Sequence, residues 1–437
     1  MKKQVVVAGG GIGGLAAALG ASRAGWDVRL FERAAAFSEV GAGVQLGPNV
    51  VRRLQAWGLQ RPLQDVAAFP ARLQVRSALT GDELAALPLG ATAVQRYGAA
   101  YATIHRADLH GLLLAAVGKY TDTQCHLDHA IDRFADADGV VTLRTCRGKQ
   151  IEADALVGAD GLWSRTRTQL LGAVPPRVTG HLAYRALIRQ DALPDALRTS
   201  QVTAWLGPRL HAVQYPVRRG ELMNLVVIVQ GPAPADLENW DHAANAAGLE
   251  QALRGTCTAL QDLVRSVGEQ QGAVRAGDQP ASLGNAPGAP GAPGAPGAPG
   301  APAAWGAGWR LWPLCDRPPV QSADEMAQGL VALLGDAAHP MRPYLAQGAG
   351  MAIEDAAELQ RALSMHDLDV PLRLRRYALN RWERNARVQA RSIRNGRIFH
   401  ATGPVRWGRD VSLRLLGERL LDVPWLYRGD GAGATSL

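Results

Sequence analysis

The sequence predicts an α/β protein: a parallel, Rossmann-like sheet interrupted by a second, mostly antiparallel sheet and followed by C-terminal helices. Three observations carry this. Residues 2–32 read as valine-rich strand, glycine turn, alanine-rich helix and second strand ending in an acid. Residues 181–230 read as four strands in succession, with Gly and Pro turns and no helix between them. Residues 330–363 return to strand, Gly-Asp turn and helix. A strand and helix of the first kind, delivered after a separate run of strands, means that the second sheet is inserted in the first.

Residues 2–8 (KKQVVVA) are two charges and an apolar run, the pattern of a strand buried on both faces. Gly9, Gly11 and Gly14 follow in the G-x-G-x-x-G register, ahead of the helical stretch 15–24. The first glycine permits the tight turn and the second lets the backbone approach a pyrophosphate. The third lets helix and strand pack closely, and the helix N-terminus faces the phosphate charge. Residues 27–31 (DVRLF) form the second strand, and Glu32 lies where a carboxylate accepts hydrogen bonds from a ribose diol. With strand, helix and acid all present, the motif indicates a dinucleotide without choosing between FAD and NAD.

The stretch 41–49 (GAGVQLGPN) suits a backbone held close to something flat or bulky, and Asn49 reads as the N-cap of a helix over 50–57. Short strands are expected at 73–76 and 83–87. A helix then starts near Arg106, which suggests an anion contact, and runs to about 117. Residues 124–134 and 140–145, joined by Asp138-Gly139, read as a hairpin. Residues 151–157 read as one strand ending in Gly158-Ala159-Asp160-Gly161, at the strand ends where open α/β sheets bind ligands. Strands follow at 181–189, 201–206, 210–217 and 221–230, then mostly helix over 235–267. Within 287–302 the triplet Gly-Ala-Pro repeats five times, too few for a collagen helix; it reads as a disordered or polyproline-like surface insertion. Strands at 310–314 and 330–334 precede GDAAHP (335–340), PYLAQGAG (343–350) and a helix over 351–363. Helices at 373–400 and 406–420 close the chain. The expected division is a dinucleotide domain over 1–180 and 316–370, a second domain over 181–315 carrying the insertion at 285–304, and C-terminal helices over 371–437.

At 437 residues the chain can bury a large core. It shows no signal-peptide pattern and no apolar run near the roughly 20 residues of a membrane span. Cys125, Cys146, Cys257 and Cys315 are scattered, and neither they nor the histidines have metal spacing, so the expectation is a reduced, cytoplasmic protein without a metal. Nine of the arginines behind the net charge of +8 fall on residues 373–397. No aromatic interleaving or known module accompanies them, which argues against nucleic acid and for a solvated helix face with some arginines paired to acids. The basic balance would also draw in an anionic small substrate.

Three separated motifs now stand together: GGGIGG with Glu32-Arg33, VGADGLWSRTR around Asp160, and LLGDAAHPMRP around Asp336. The combination resembles the FAD-dependent aromatic hydroxylases of the para-hydroxybenzoate hydroxylase type, over nearly the whole chain outside the Gly-Ala-Pro insertion. GAGVQLGPN, YGAAYATIHRADLHGL, HAVQYPVRRGELMNLVV and PYLAQGAGMAIEDA look like the branch of 3-hydroxybenzoate 6-hydroxylases, 6-hydroxynicotinate 3-monooxygenases and salicylate hydroxylases. The resemblance implies that Gly9, Gly11 and Gly14 seat the FAD pyrophosphate, Glu32, beside Arg33, the adenosine ribose, and Arg106 the phosphate and ribityl region. It puts Asp160 in a motif shared between FAD and nicotinamide binding, Asp336 on the ribityl chain, and Gln45, Gln347 and Gly348 around the flavin. Only one dinucleotide fingerprint is present, so a nicotinamide donor, NADH by family similarity and NADPH as the alternative, would bind transiently. Arg342 stands where the family motif has a small or apolar residue. Gln45 stands where the hydroxynicotinate enzymes carry histidine, which weakens a pyridine substrate.

The implied reaction consumes NADH and O2 and transfers one oxygen atom, through a flavin C4a-hydroperoxide, to the ring of a small anionic phenol. It needs a base for the phenol proton, because a phenolate is the better nucleophile. At strand period, His211, Val213 and Tyr215 share one face, and the resemblance turns that face to the flavin. His211 is therefore the candidate base, Gln347 the candidate partner of the substrate hydroxyl and Tyr215 a ring or carboxylate contact. His339 reads as flavin-loop architecture, and Tyr184 and Arg185 as structural. The expected reaction is 3-hydroxybenzoate 6-hydroxylation to gentisate. Salicylate 1-hydroxylation to catechol and hydroxylation of a related N-heteroaromatic are the alternatives, and a flavin reductase or oxidase is the alternative of another class. The arginine helix and C-terminal tail could form a homodimer surface.

Overall fold

The computed structural model describes residues 2–37, 42–239, 242–244, 246–277 and 308–429. The Gly-Ala-Pro repeat, expected as a disordered insertion at 285–304, lies outside the described residues.

The valine run becomes the strand Gln4–Ala8, with Val5, Val6 and Val7 fully buried. On one side it pairs in parallel with Asp27–Phe31, which pairs with Thr123–His126. On the other side lies Ala155–Gly158 and then the late strand Val331–Leu333, also parallel. A two-residue strand, Ala327–Gln328, completes the sheet as its antiparallel edge. The early helix Ile12–Arg23 packs against the late helix Gly348–Leu363, and a Cβ at Gly20 would lie 2.7 Å from the Ala356 carbonyl oxygen. Only glycine allows that approach, which locks the two ends of the chain into one core.

Three expected elements are divided in the structure. The run 124–134 divides: Thr123–His126 joins the parallel sheet, where His126 stacks on Phe31 at 4.6 Å, and Ile131–Ala137 forms the hairpin with Val140–Thr145. The run 151–157 also divides, into Gln150–Ala153 beside the hairpin and Ala155–Gly158 in the parallel sheet. Asp154 makes the break, its carboxylate accepting the Gln4 N–H at 2.7 Å. The last long helix ends at Leu416 and restarts at Glu418, because Gly417 has φ +47°.

The second sheet has eight strands in the order His242–Ala243, Arg310–Asp316, Arg177–Arg189, Leu222–Gln230, Leu210–Val217, Val202–Gly207, Arg72–Ser77, Glu83–Pro88. All neighbours are antiparallel except Val202–Gly207 with Arg72–Ser77. The hairpin at 72–88, separated in sequence from the other six strands, is thus part of this sheet. Its outer face (Leu182, Tyr184, Ala212, Leu225, Val227) packs on Leu249, Leu260 and Leu263 of the following helices. Its inner face faces the parallel-sheet body: Ala183, Ile228 and Trp312 cluster with Ala42 and Tyr344, and Tyr215 and Val217 with Tyr101 and Met351.

Helix Val370–Phe399 starts on an Asp369 N-cap and carries the arginine cluster. Its arginines are more engaged than a solvated face requires. Arg373 donates to the Leu363 carbonyl at 2.9 Å, Arg384 pairs with Glu354, and Arg381 is fully buried between Glu354 and Asp355. No helix among the described residues is long and apolar enough to cross a membrane.

Candidate active site

The glycine turn joins the first strand to helix Ile12–Arg23, whose N-cap is Gly11. Gly9 has φ +104°, and a Cβ on Gly14 would run into the Gly9 carbonyl. No side chain caps the helix, and its first turn holds no acid. Its first N–H groups are therefore available to an anion. Glu32 reaches back over the turn, accepting from Gly10 N at 2.7 Å and Ala34 N at 2.8 Å. A carboxylate offers about four lone-pair sites, so two bonds leave capacity for a diol. Arg33 is exposed beside it. Asp160 is engaged locally: it accepts from Ser164 Oγ at 2.5 Å and from Thr166 N and Oγ1, both at 3.0 Å. It orders the loop that packs on Gly9, with three of its acceptor sites taken by that loop.

Farther along the cleft, Asp336 follows the strand Val331–Leu333, and a Cβ on Gly348 would lie 4.0 Å from its Oδ1. Asp336 is open to solvent on one side and ringed by protein on the others. That enclosure raises its pKa, against the opposing pull of Arg106 and His339. Arg106 is the first residue of helix Arg106–Val117 and is anchored by its N–H to the Ala42 carbonyl at 2.7 Å. His339, fully buried, is 2.5 Å from Asp355 through Nε2.

The inner face of the eight-stranded sheet forms the far wall. His211 pairs with Ile228, Val213 with Val226 and Tyr215 with Asn224, so 211, 213 and 215 share this face as their spacing predicts. Arg185 pairs with Val226 in the same row as Val213. Tyr215 and Tyr101 are joined through Gln45, which accepts from Tyr101 OH at 2.6 Å and bonds the Tyr215 oxygen. Burial raises the Tyr215 pKa. Gln45, expected among the flavin contacts, thus lies against two tyrosines. Asn224 fixes its strand by accepting from Gly43 N at 2.6 Å.

Arg185, read from sequence as structural, packs on an aromatic ring of the inner face. Its guanidinium lies 3.3 Å from the Trp312 ring centroid, its Nε has no hydrogen-bond partner, and no carboxylate pairs with it among the described residues. Enclosure by protein pulls its pKa to about 9, with Tyr215 opposing and Arg106 assisting; it remains a cation at neutral pH. It is half-buried.

His211 is buried, and its Nδ1 is 2.7 Å from Nε2 of His400. Tyr344 and Phe399 pack on its ring at 5.1 and 5.4 Å. Burial first, then the neighbouring His400 and His181, hold His211 well below the usual histidine pKa. Gln347 is buried at the start of helix Gly348–Leu363, and its Oε1 accepts from Asn49 at 3.1 Å, while Asn49 also donates to Glu354 at 2.7 Å. One of its carbonyl's two lone pairs is thereby taken by the protein, and its amide NH2 is left to meet a ligand. Asn49, expected as a helix N-cap, serves instead as this bridge, and the helix starts at Pro48 on Gly47.

Comparison with known proteins settles the family. A family model described as "FAD binding domain" matches residues 2–259 and 318–400. The chain belongs to the FAD-dependent aromatic hydroxylases. It is 34% identical over 426 residues to a 3-hydroxybenzoate 6-hydroxylase of Polaromonas naphthalenivorans, spanning 97% of this chain and 95% of that one. It is also 34% identical over 432 residues to a 3-amino-4-hydroxybenzoate 2-monooxygenase of Streptomyces platensis, spanning 99% and 97%. Among solved structures, a salicylate hydroxylase substrate complex superposes with a TM-score of 0.75 at 25% identity, covering 99% of this chain and 97% of that one. For this hydroxylase the residues present fit FAD. The uncapped helix and glycine turn suit its pyrophosphate, Glu32 a ribose, and Asp336 with Arg106 the stretch beyond. Arg342, the departure from the family motif, donates to buried Asp316 at 2.7 Å and ties its loop to strand Arg310–Asp316.

Sequence reasoning missed Arg185, His400, Tyr101 and the Asn49 bridge. Arg185 left one signal, a cation inside the apolar run 182–188; His400 left none.

Proposed function

We propose that this hydroxylase uses NADH and O2 to hydroxylate a small anionic phenol, with 3-hydroxybenzoate converted to gentisate as its reaction. The supporting observation is the set of groups on one sheet face: neutral His211, the Tyr101–Gln45–Tyr215 chain, and Arg185 without a carboxylate partner. A half-buried cation without a counter-ion is costly unless a ligand supplies the anion, and a ring carboxylate would do so. A charge-assisted hydrogen bond from Arg185 would fix one end of the ring. Tyr215 and Gln45 would contact its edge, and His211 Nε2 would accept the phenol proton at the other end. Burial keeps His211 neutral and therefore an acceptor. An anionic ring within about 4–6 Å favours the imidazolium as the proton arrives. FAD, when bound, supplies the oxygen activation. The chain's part is to orient the ring, hold the phenol proton and exclude water, for which Val213, Tyr344 and Met351 provide apolar surface.

The test is product identification. FAD-loaded protein with NADH and air is given 3-hydroxybenzoate or salicylate. Gentisate from the first supports the reading. Catechol from the second moves the substrate to salicylate, and NADH use yielding only hydrogen peroxide with both overturns the hydroxybenzoate reading. Arg185→Gln is expected to raise the KM for the aromatic acid roughly 10- to 100-fold, the equivalent of the roughly 1.5–3 kcal/mol of a charged hydrogen bond. FAD content should stay unchanged, and a phenol without a carboxylate should show no such penalty.

A further inference from the structure

His400 ends the long C-terminal helix, and 189 residues separate it from His211 in sequence. Both rings are buried, at 5% and 3% exposure. The backbone holds His400 from two sides: its N–H donates to the Gly396 carbonyl at 3.3 Å, and its carbonyl accepts from Arg209, just before the His211 strand, at 3.1 Å. The ring packs on His181 at 4.6 Å and Tyr344 at 5.8 Å. His181 Nδ1 in turn bonds the Tyr344 hydroxyl.

Two neutral imidazoles whose nitrogens are 2.7 Å apart share one hydrogen. If it resides on His211 Nδ1, His211 Nε2 is bare and can accept a proton. If it resides on His400 Nε2, His211 Nε2 carries its own hydrogen and can only donate. The direction of this hydrogen bond therefore decides whether His211 can be a base. We propose that His400 is a positioning residue for the hydroxylation: by accepting from His211 Nδ1 it fixes the tautomer and ring orientation in which Nε2 meets the substrate hydroxyl. The inference rests on His211 being the base of the proposed reaction. Such outer partners are a general means of fixing which imidazole nitrogen is available. The surroundings keep both rings uncharged, as the shared single hydrogen requires. Around them stand His181 from strand Arg177–Arg189, Tyr344 and Arg342 from the loop before helix Gly348–Leu363, Arg409 from helix Gly403–Leu416, and Asp316 beside His181 and Tyr344.

The test uses the FAD-loaded full chain and two variants, His400→Leu, which fills the space without an acceptor, and His400→Gln, which restores an acceptor oxygen. Histidine 15N NMR with 3-hydroxybenzoate bound should show His211 hydrogen-bearing at Nδ1 and bare at Nε2 in the parent and His400→Gln, and a tautomer mixture in His400→Leu. Product formation should fall about 10- to 100-fold in His400→Leu, with FAD content unchanged and partial recovery in His400→Gln. The deficit should shrink as pH rises toward the phenol's own pKa of about 10, since a phenolate needs no base. An Nε2–H tautomer in the parent, or undiminished product in His400→Leu, overturns the proposal. So does an equal loss in both variants that persists at high pH, which marks a merely structural residue. Absence of gentisate from the parent, with the tautomer as stated, would instead count against the substrate reading and leave the positioning role standing.

Discussion

Arg381→Leu is expected to destabilise the protein by about 3–5 kcal/mol, the usual cost of removing one partner of a buried ion pair, and to lower the thermal midpoint by several degrees. Arg381 is fully buried, with Nε donating to Asp355 at 2.7 Å, one terminal nitrogen to Glu354 at 3.0 Å and the other to Asn385 at 3.2 Å. Burial alone would raise both carboxyl pKa values. For Glu354, Arg381 and Arg384 outweigh it and bring the pKa to about 2; for Asp355, His339 and Arg381 hold it well below the usual range. Both are therefore ionised at neutral pH and fully desolvated. Leucine leaves Asp355 with His339 and Asn385, and Glu354 with Arg384 and Asn49, one cation fewer between two anions.

The sign with pH follows. A carboxylate whose folded pKa is depressed stabilises the fold above its unfolded pKa of about 4, and that contribution is lost as pH falls toward 2. In Arg381→Leu the two folded pKa values move up, so their depressed-pKa contribution is already smaller at neutral pH. The gap between parent and variant should be widest near pH 7 and narrow on acidification through pH 4, measured by thermal melts across that range. A gap independent of pH would mean that the arginine matters only through packing. The same network reaches the site, since Glu354 holds Asn49 and Asn49 holds Gln347.

What the sequence made legible was local. The glycine turn needs only neighbouring residues, so strand, turn, helix and Glu32 could be read together. The shared face of His211, Val213 and Tyr215 needs only the strand period. What stayed hidden depended on partners far along the chain. Arg185 reaches the same face only through the register of Arg177–Arg189 against Leu222–Gln230. The strand Arg72–Ser77 belongs to the second sheet because it pairs with Val202–Gly207, a relation no local pattern encodes. Gln347 was singled out by the family resemblance, which gave no sign that its carbonyl is bound to Asn49 from an early helix. Asp160 stands where the strand-end rule puts ligands, but Ser164 and Thr166 take up its carboxylate. Split strands were misread for the same reason: Asp154 breaks the strand expected over 151–157 where Gln4 lies beside it.

His211→Ala should lower product formation by about 10²–10⁴-fold, the range a positioned acid–base group contributes, with FAD content near that of the parent. The KM for the aromatic acid should move much less, because Arg185 rather than His211 would hold the carboxylate. Alanine leaves His400 Nε2 buried without its partner, which costs about 1–3 kcal/mol of stability. The variant must therefore be compared with His211→Asn, which can still face His400 with an amide but supplies no base at the substrate. Equal loss of product in both, with the asparagine variant the more stable, separates the chemical role from the structural one. NADH use should persist and end in hydrogen peroxide, because removing the proton acceptor impairs the ring's attack and not the supply of electrons. Undiminished hydroxylation in both variants would leave Gln347 as the remaining group at the substrate hydroxyl. A neutral amide is far too weak a base to take the proton: it could stabilise a phenolate already formed, and turnover would then follow the ionisation of the phenol in bulk water.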